Sequence, residues 1–373
     1  MSHPTFRSME EMEQYFYGGD IIQKAVLTTG ESGVYNRVYG KRVWLQMSQE
    51  MNAFAILPKE PWDVTGFRVW RDYMSTASGV AENAAIPSSA NLSGYVKEIG
   101  SDALQPKRLA HVFEVSEILE ELAARGDDVI GDPLNTLKEY FGLQHVNDMN
   151  AHTCAKVNSK AWATTNDPDS IDHVVSGYVE AVELSDDGTY TDIYGIDRHT
   201  AASWADAYVD NNGGTNRDLT LELIDNAFQT IWHRGGQPKV ILTGYDTQMA
   251  ISQLLEANRR YQMPTTKVVP TYQGVRGIEG VEGGFVVSTY NNVPIIASRH
   301  VQNDGAGTLS RIYILDTDYL SWRVLRPTLY FEAGIRTGDP FITNNFAQKG
   351  MYTTVGNLIC RRFNVQAKIT HIM

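Results

Sequence analysis

The chain has few of the residues that define small secreted domains, metalloproteins and membrane proteins. Its 373 residues include two cysteines, Cys154 and Cys360, which lie far apart and outside any Cys-x-x-Cys pattern. Two cysteines cannot build a disulfide framework or a zinc ribbon, so we expect both to be small buried side chains. No apolar run approaches the roughly 20 residues of a membrane span, and no signal peptide opens the chain. We therefore expect a protein without membrane contact, found in the cytoplasm or in a particle assembled there.

Clustered positive charge is also missing. Acidic residues outnumber basic ones 44 to 32, the formal net charge is −12, and no basic cluster is longer than a pair such as Lys107-Arg108. Proteins that coat nucleic acid through its phosphates usually carry a basic face. The sequence therefore disfavours direct DNA binding. The hydrophobic fraction of 42% is ordinary for a folded globular protein.

Motifs of common enzyme classes are absent as well. The chain has no Gly-x-Ser-x-Gly elbow and no phosphate-binding Gly-x4-Gly-Lys sequence. The glycines of GVRGIEGVEGG at 274–284 do not match a dinucleotide fingerprint, because no Gly-x-Gly opens a helix, and they predict a connecting loop. A glycosidase-like pair of carboxylates stays open, since any chain of this size has dispersed acids. We expect no enzyme and no cofactor.

Two groups of residues carry side chains that can bind metals. His145 and His152 lie seven positions apart, not at the four-residue spacing of a helical zinc pair, and we expect surface or interface histidines. An acidic turn lacks the glycine and distal glutamate of a calcium loop, and we expect it to be solvated. Its three acids are Asp167, Asp169 and Asp172. The sequence therefore predicts no metal site.

The longest helix is predicted over residues 132–160. Asp132 can cap it, and proline follows at the first helical position. Leu137 and Phe141 lie on one apolar face and are the positions that we expect to be most buried, whereas Lys138 should face solvent. A helix of this length would form a rod of roughly 40 Å.

A compact α+β region is predicted over residues 200–308. A helix begins at Asp218 and ends at Gly235-Gly236, because glycine commonly terminates helices. Asn291-Asn292 separates two apolar segments and predicts a two-residue hairpin loop. The preceding segment Val174–Leu184 is predicted to be a strand, and the pattern after residue 311 is rich in strands.

The most distinctive stretch runs from Glu82 to Leu122. A tip of small and polar residues leads into two strands, Gly94–Ile99 and Arg108–Val115, and a helix is predicted from Ser116. The first half has too few large apolar side chains to offset the ordering of its backbone. An ordered arm of this composition needs a neighbour to lie against, and this predicts a subunit of an assembly.

The order of these motifs resembles that of tailed-virus major capsid proteins with the Hong Kong 97-type fold. In that family an extended loop leads through a short helix start into a long spine helix. The resemblance spans roughly residues 50–365 and rests on the following segments: Ile86-Pro87-Ser88-Ser89, Lys107-Arg108-Leu109-Ala110, Val115-Ser116-Glu117-Ile118-Leu119-Glu120, Ile314-Leu315-Asp316, Leu325-Arg326-Pro327 and Thr337-Gly338-Asp339.

The resemblance implies an α+β fold with an N-terminal arm, an extended β-hairpin loop, a long spine helix, and peripheral and axial domains. The implied boundaries are 1–60 for the arm and first helix, 61–115 for the extended loop, 116–199 and 309–373 for the peripheral domain with spine helix 132–160, and 200–308 for the axial domain. The implied function is a major capsid protein whose hexamers and pentamers form an icosahedral shell around a double-stranded DNA genome. Implied partners are other copies, a portal, and scaffold or decoration proteins, with DNA enclosed but not read by sequence.

The extended loop is where we expect contacts between subunits. The residues that we predict to contribute are Glu82, Pro87, Lys97, Lys107 and Arg108. Some members of the resembled family cross-link a loop lysine to an asparagine of a neighbouring subunit. Lys97 and Lys107 lie in the corresponding region, but we expect ordinary surface lysines and noncovalent assembly.

Two alternatives remain open at this point. An encapsulin-like nanocompartment shell shares the fold, although the long segment before the extended loop weighs against it. A soluble α+β hydrolase is the alternative from another class, and it predicts a small particle with a pocket of perturbed carboxylates.

Overall fold

The structure, a computed structural model, describes most of the chain after residue 95 and shorter stretches before it. The described residues are 26–27, 52–63, 66–71, 81–83, 96–100, 103–124, 132–162, 164–199, 204–257, 266–268, 285–334 and 346–373. Apart from 26–27 and 52–60, the predicted N-terminal arm and helix lie outside them.

The chain divides into two compact units, and each is described by itself below. The first consists of Met1–Gln49, Leu109–Asp148 and Arg326–Thr354, and the second consists of Glu50–Arg108, Met149–Leu325 and Val355–Met373.

Seven α-helices and fifteen strands fall within the described residues. The helices α1 to α7 are Asn52–Ile56, Glu117–Ala124, Pro133–Thr153, Ile171–Val174, Tyr178–Glu183, Leu221–His233 and Tyr245–Ala257. The strands β1 to β15 are Val26–Leu27, Lys59–Pro61, Phe67–Trp70, Val96–Ile99, Lys107–Ser116, Tyr208–Asp210, Val240–Thr243, Thr266–Val268, Phe285–Val287, Thr289–Tyr290, Val293–Ala297, Ile312–Leu315, Leu320–Gly334, Ala347–Cys360 and Ala367–Ile369.

The first unit is a sheet with helices packed on one face. Strands β1, β5, β14 and β13 lie side by side in that order. Because side chains alternate across a strand, Phe113 and Val115 of β5 point into the core with Leu119 and Leu134, while Val112 points to the opposite face. This aromatic and aliphatic cluster joins the sheet to α2 and α3.

The long helix α3 begins as predicted but ends earlier. The Asp132 carboxylate accepts the amide protons of Leu134 and Asn135 at 3.1 and 3.2 Å, which confirms the cap. The helix stops at Thr153, and a separate turn of 3-10 helix follows at Val157–Ser159. The predicted 28-residue rod is therefore 21 residues long.

The burial expected along α3 is wrong in detail. Leu134 is the buried apolar residue of its first turn, whereas Leu137 and Phe141 are only partly buried. Phe141 stacks on Phe113 with ring centroids 5.1 Å apart, so it covers the cluster without being enclosed by it. Lys138 does not simply face solvent, because its Nζ pairs with a Glu332 carboxylate oxygen at 2.8 Å.

The second unit is built on a six-stranded sheet with the order β10-β11-β7-β12-β15-β6. β7, β11 and β12 are buried along their whole length, as expected for strands covered on both faces. β7 pairs in parallel with β11 and antiparallel with β12. Two of the six strands, β12 and β15, come from beyond residue 308, so the predicted compact region is completed by later segments.

Two local predictions in this unit are confirmed. Helix α6 buries Ile224, Phe228 and Ile231 and stops where expected, although Thr220 rather than Asp218 is the residue before its first turn. Gly235 has φ +74°, and its amide and that of Gly236 donate to Trp232 O and Ile231 O at 2.9 and 3.0 Å. These two bonds define a Schellman C-cap, in which glycine adopts the left-handed conformation without a steric penalty.

The hairpin loop is also confirmed. Asn291 and Asn292 have φ values of 48° and 63° between the antiparallel strands β10 and β11. Positive φ at both central residues is the geometry of a type I′ turn, which asparagine tolerates.

The strand predicted over Val174–Leu184 is wrong, because this segment forms two short helices. The Ser170 hydroxyl oxygen accepts the His173 amide at 3.1 Å and caps α4. Gly177 then separates α4 from α5 and occupies the N-cap position of α5. The capping serine lies before the predicted strand and begins the first of the two helices.

Both cysteines are buried and free, as predicted. Among the residues described, no helix is both long and apolar enough to cross a membrane.

Candidate assembly surface and buried ion cluster

Four charged side chains meet in the interior of the second unit: Asp172, Glu180, Arg311 and Lys368. Each is at most 4% exposed. The two acids lie on the short helices α4 and α5, Arg311 precedes β12, and Lys368 lies on β15. We call this group the ion cluster, and it joins the two helices to the sheet.

Asp172 is the centre of the ion cluster. Its carboxylate oxygens accept hydrogen bonds from Arg311 Nη1 at 2.7 and 2.8 Å and from Lys368 Nζ at 3.0 Å. They also accept the Tyr313 hydroxyl at 2.8 Å and the Val157 amide at 2.6 Å. A buried carboxylate is tolerated when its charge is paired and its lone pairs are occupied, and Asp172 meets both conditions.

The other acids complete the charge balance. Arg311 Nη1 is 3.3 Å from a Glu180 carboxylate oxygen, and Lys368 donates to the other oxygen of Glu180. The Asp304 carboxylate accepts Arg311 Nε at 2.7 Å, and Lys156 Nζ lies 3.9 Å from it. Three carboxylates thus face three cations, which keeps the interior close to neutral.

The electrostatics favour the charged forms of Asp172 and Arg311. Burial alone would raise the pKa of Asp172, but the charges of Arg311 and Lys368 outweigh it and hold that pKa below its usual range. Burial opposes the Arg311 cation, yet Asp172 and Glu180 raise its pKa above the usual value. Because the carboxylate oxygens of the ion cluster already accept hydrogen bonds and are shielded from solvent, the cluster is suited to holding the fold together and not to proton transfer.

The three acids of the acidic turn, Asp167, Asp169 and Asp172, do not converge on one point. Asp167 pairs with Lys160 at 2.5 Å, and Asp169 accepts the Asn357 side-chain amide at 2.7 Å. Asp172 is buried in the ion cluster. The expectation of a solvated turn is therefore wrong for Asp172, because its cationic partners come from distant segments.

His145 is not a surface histidine. It is 1% exposed, and its Nδ1 lies 2.9 Å from Nδ1 of His111, while its Nε2 lies 2.8 Å from the Thr354 hydroxyl. His111 also pairs through Nε2 with Asp148 at 2.9 Å. The surface prediction is wrong for His145 because this polar side chain lies on the inner face of α3, where it contacts His111 on β5 and Thr354 on β14. His152 is half-buried, with Nδ1 3.0 Å from Lys160 Nζ.

The predicted loop contacts lie on and beside a small hairpin. β3 and β4 pair antiparallel, and Arg68 lies directly opposite Glu98 with an ion pair of 2.8 Å. Lys97 and Arg108 are exposed, as is Glu82 in a separate turn. Lys107 is instead half-buried and donates to Thr165 O at 2.8 Å. Pro87 lies outside the described residues.

An exposed apolar surface on the first unit was not predicted. Val112, Leu329 and Phe331 are 49%, 41% and 42% exposed on the sheet face opposite the core. Their neighbours Phe113 and Tyr330 point inward, so period-two alternation identifies this second face once the strands are known. Contiguous exposed apolar side chains commonly mark contact with another chain.

A histidine and two acids also converge in the second unit. His199 Nδ1 lies 2.7 Å from Asp197 and 3.3 Å from Asp192. Partial burial opposes the imidazolium, but the hydrogen bond to Asp197 and the nearby carboxylates raise the pKa of His199. The imidazole thus pairs with both carboxylates in this group.

Comparisons with known proteins match the chain to a family by sequence and to solved structures by fold. Residues 110–354, more than half of the chain, match the family model described as SU10 major capsid protein. The fold is similar to that of the cyanophage A-1(L) capsid asymmetric unit, with 15% identity and a TM-score of 0.60 over 90% of this chain and 97% of that chain. No curated protein sequence matches the chain.

Two further solved structures have the same fold. The capsid of the native GTA particle has 12% identity and a TM-score of 0.55, covering 89% of this chain and 93% of that one. The empty GTA particle has 13% identity and a TM-score of 0.52, covering 93% and 100%. These likenesses confirm the predicted α+β fold of the Hong Kong 97 type.

Proposed function

The chain belongs to the SU10 major capsid protein family, and we propose that its copies assemble as hexamers and pentamers into an icosahedral shell around the double-stranded DNA of a tailed virus. The family match over residues 110–354 is the observation that carries this proposal. The similarity of the fold to capsid subunits supports it. The role is mechanical, because a shell protein acts by packing against other copies and not by turning over a substrate.

We assign the parts of the shell subunit as the resemblance implies. Residues 200–308 would form the axial domain around each capsomer axis, and 116–199 with 309–373 the peripheral domain with its spine helix. Residues 61–115 would form the extended loop, and 1–60 the N-terminal arm. Four of the six strands in the second unit's sheet, β6, β7, β10 and β11, lie within 200–308, which supports the axial assignment. The range assigned to the peripheral domain contributes the other two, β12 and β15.

We further propose that the extended loop contributes contacts between subunits. Lys97 and Arg108 are exposed and Glu82 is exposed nearby in sequence, so all three are accessible to a neighbouring copy. Pro87 is proposed with them from sequence alone. Lys107 already binds the Thr165 carbonyl, so its amine is a weaker candidate for pairing across subunits.

The proposed partners follow from the architecture and from the charge. Copies of the chain are the first partner, and a portal and scaffold or decoration proteins are the others that a shell of this type needs. DNA would be enclosed without sequence-specific contacts, because a net charge of −12 gives no general attraction for phosphates. We place assembly in the host cytoplasm and the mature protein in the virion.

The alternatives are less well supported. A nanocompartment shell would share the fold, but the matched family is that of a viral major capsid protein. A hydrolase would place perturbed carboxylates in an open pocket. In the described residues the most strongly stabilised carboxylate, Asp172, is instead fully buried and fully paired.

Particle size tests the proposal directly. Purified protein should form closed shells of many tens of copies by negative-stain microscopy and light scattering. A sample that was never dissociated and remains a monomer or dimer under all salt and pH conditions would refute it.

Deleting Glu82–Asn91 tests the extended loop. The shortened subunit should fold with an unchanged thermal transition but should build no stable shell. Unfolding of the deleted chain would show that this segment is part of the core.

A further inference from the structure

A pocket in the second unit is lined by an unusual number of arginines. Its volume is about 850 Å3, and it lies between strand β3, the end of helix α6 and the segment after β14. We call it the arginine pocket, and six of its lining residues are Arg68, Trp70, Arg71, Arg234, Arg361 and Arg362. Acids outnumber bases in the chain as a whole, so this lining reverses the general charge balance.

Part of this charge is neutralised within the chain. Arg68 pairs with Glu98 at 2.8 Å, and Arg361 pairs with Glu60 at 3.0 Å. Asp318 is the one carboxylate among the lining residues, and its oxygens are 3.0 and 3.2 Å from Lys239 Nζ. Asp318 is therefore paired with Lys239 and does not neutralise the arginines of the pocket.

Arg234 and Arg362 form no ion pair within 4 Å in the described part of the chain, although the Asp206 carboxylate acts on Arg234 from a longer distance. Arg234 Nη1 donates to Asn364 O at 3.1 Å. Arg362 donates through Nη1 to Gly235 O at 3.2 Å, through Nε to Asn364 Oδ1 at 3.3 Å and through Nη2 to Arg234 O, and its guanidinium lies 5.3 Å from the centre of the Tyr319 ring. These hydrogen-bond acceptors carry no formal charge, so the two guanidinium groups keep their positive charge at adjacent points of one concave surface. Burial lowers the pKa of Arg234 by more than the nearby Asp206 carboxylate raises it.

The geometry of guanidinium groups indicates the class of ligand. Their planar donors bind carboxylates and phosphates through two parallel hydrogen bonds. A nucleic acid backbone would need cations spaced along a track, whereas these five gather in one pocket of an acidic chain. Trp70, which is 59% exposed, adds an apolar surface of the kind that a peptide contacts.

The net charge indicates which peptide this is. Copies that carry −12 each repel one another, so a stable contact between them needs local charge complementarity. A cationic pocket on one copy and an acidic segment on the next supply it. We propose that the arginine pocket receives an acidic segment of a second copy of this chain, whose carboxylates pair with Arg234 and Arg362. This inference rests on the proposed function, since it requires copies that assemble.

Zero-length cross-linking tests the contact. Arg234→Lys keeps the charge and introduces an amine that a carbodiimide can join to a neighbouring carboxylate. Particles assembled from equal amounts of normal and nitrogen-15-labelled chains should yield cross-linked peptides that combine both isotopes at an Asp or Glu. Arg299→Lys, at an exposed arginine outside the pocket, is the matched control and should yield far fewer. Cross-links within single chains only, or none above the control, would overturn the proposal.

Assembly measurements separate this inference from the proposed function. If the wild-type chain forms no particles, the proposed function fails. If it forms particles, Arg234→Gln should raise the protein concentration needed for assembly roughly fivefold, the effect of losing one charge-assisted contact. An unchanged threshold would refute the pocket contact alone.

Fluorescence anisotropy with a labelled single-stranded oligonucleotide completes the test. If the wild type binds the oligonucleotide and Arg234→Gln abolishes that binding, the pocket is a nucleic acid site and the peptide proposal is overturned.

Discussion

Replacing Asp172 by alanine should destabilise the second unit more than any surface substitution. Asp172 accepts hydrogen bonds from Arg311, Lys368, Tyr313 and the Val157 amide. The variant leaves two carboxylates to face three cations in a region with almost no solvent. A buried charge that loses its partner costs about 3–5 kcal/mol, which is a large share of the stability of a typical domain.

The loss should be partly recovered when the opposite charge is removed as well. Asp172→Ala combined with Lys368→Met leaves two carboxylates and two cations. We therefore expect the double variant to lose less free energy of unfolding than the sum of the single variants, with a coupling of about 1–3 kcal/mol. This coupling reports the ion pair itself, because any general effect of mutation at the two sites adds without coupling.

Urea unfolding of the unassembled full-length chain, followed by circular dichroism, measures these differences. The unassembled chain is needed because assembly stabilises the folded state by mass action. Asp218→Ala is the control, since Asp218 is exposed, and its change should stay within about 0.5 kcal/mol. A loss below about 1 kcal/mol for Asp172→Ala, or strict additivity in the double variant, would show that the ion cluster does not hold the unit together.

The pH dependence has a defined sign. The pKa of Asp172 is lowered on folding, so its contribution is present above the unfolded value of about 3.9 and is lost as pH falls through the folded value. The difference between the wild type and Asp172→Ala should therefore be constant from about pH 5 to 8 and should shrink below about pH 4.

Three further substitutions or modifications test other parts of the structure. Gly236→Ala should destabilise the chain, because its Cβ would lie 2.6 Å from a Val365 carbon, whereas Gly305→Ala meets nothing within 4 Å and should be neutral in thermal denaturation. Burial raises the pKa of Cys360 to about 12, so iodoacetamide at pH 8 should leave this thiol unmodified in the folded chain and alkylate it in urea, as read by peptide mass. Burial lowers the pKa of Lys59 to about 8, so the folded chain releases this proton at a lower pH than the unfolded chain, and the free energy of unfolding should rise between about pH 8 and 10. Lys59→Met should flatten that rise. An equal slope in both proteins would show that the pKa of Lys59 is not lowered by folding.

Local signals account for what the sequence predicted well. Gly235-Gly236 ends helix α6, and Asn291-Asn292 forms a tight turn, because each pair meets a backbone requirement that few other residues meet. These features depend on neighbouring residues, so a pattern along the chain was sufficient to find them.

Long-range pairing accounts for what the sequence did not show. A lysine inside the short strand β15 is an anomaly that only its partners explain, and Asp172 is one of them. The spacing of His145 and His152 predicted surface or interface histidines, and it could not show that the partner of His145 is His111 on a separate strand. The arginine pocket likewise combines three segments that are distant in sequence. Such sites arise from topology, which a single sequence does not specify.

The position of Lys368 has a consequence for how the chain is made. It follows Asp172 by 196 positions and lies on β15, which is an interior strand between β12 and β6. During synthesis the two acids on α4 and α5 leave the ribosome long before the lysine that neutralises them. Strand β6 has no partner in the sheet until residues 367–369 are available. A nascent copy therefore cannot complete this unit, or neutralise its two buried acids with Lys368, before that segment is made.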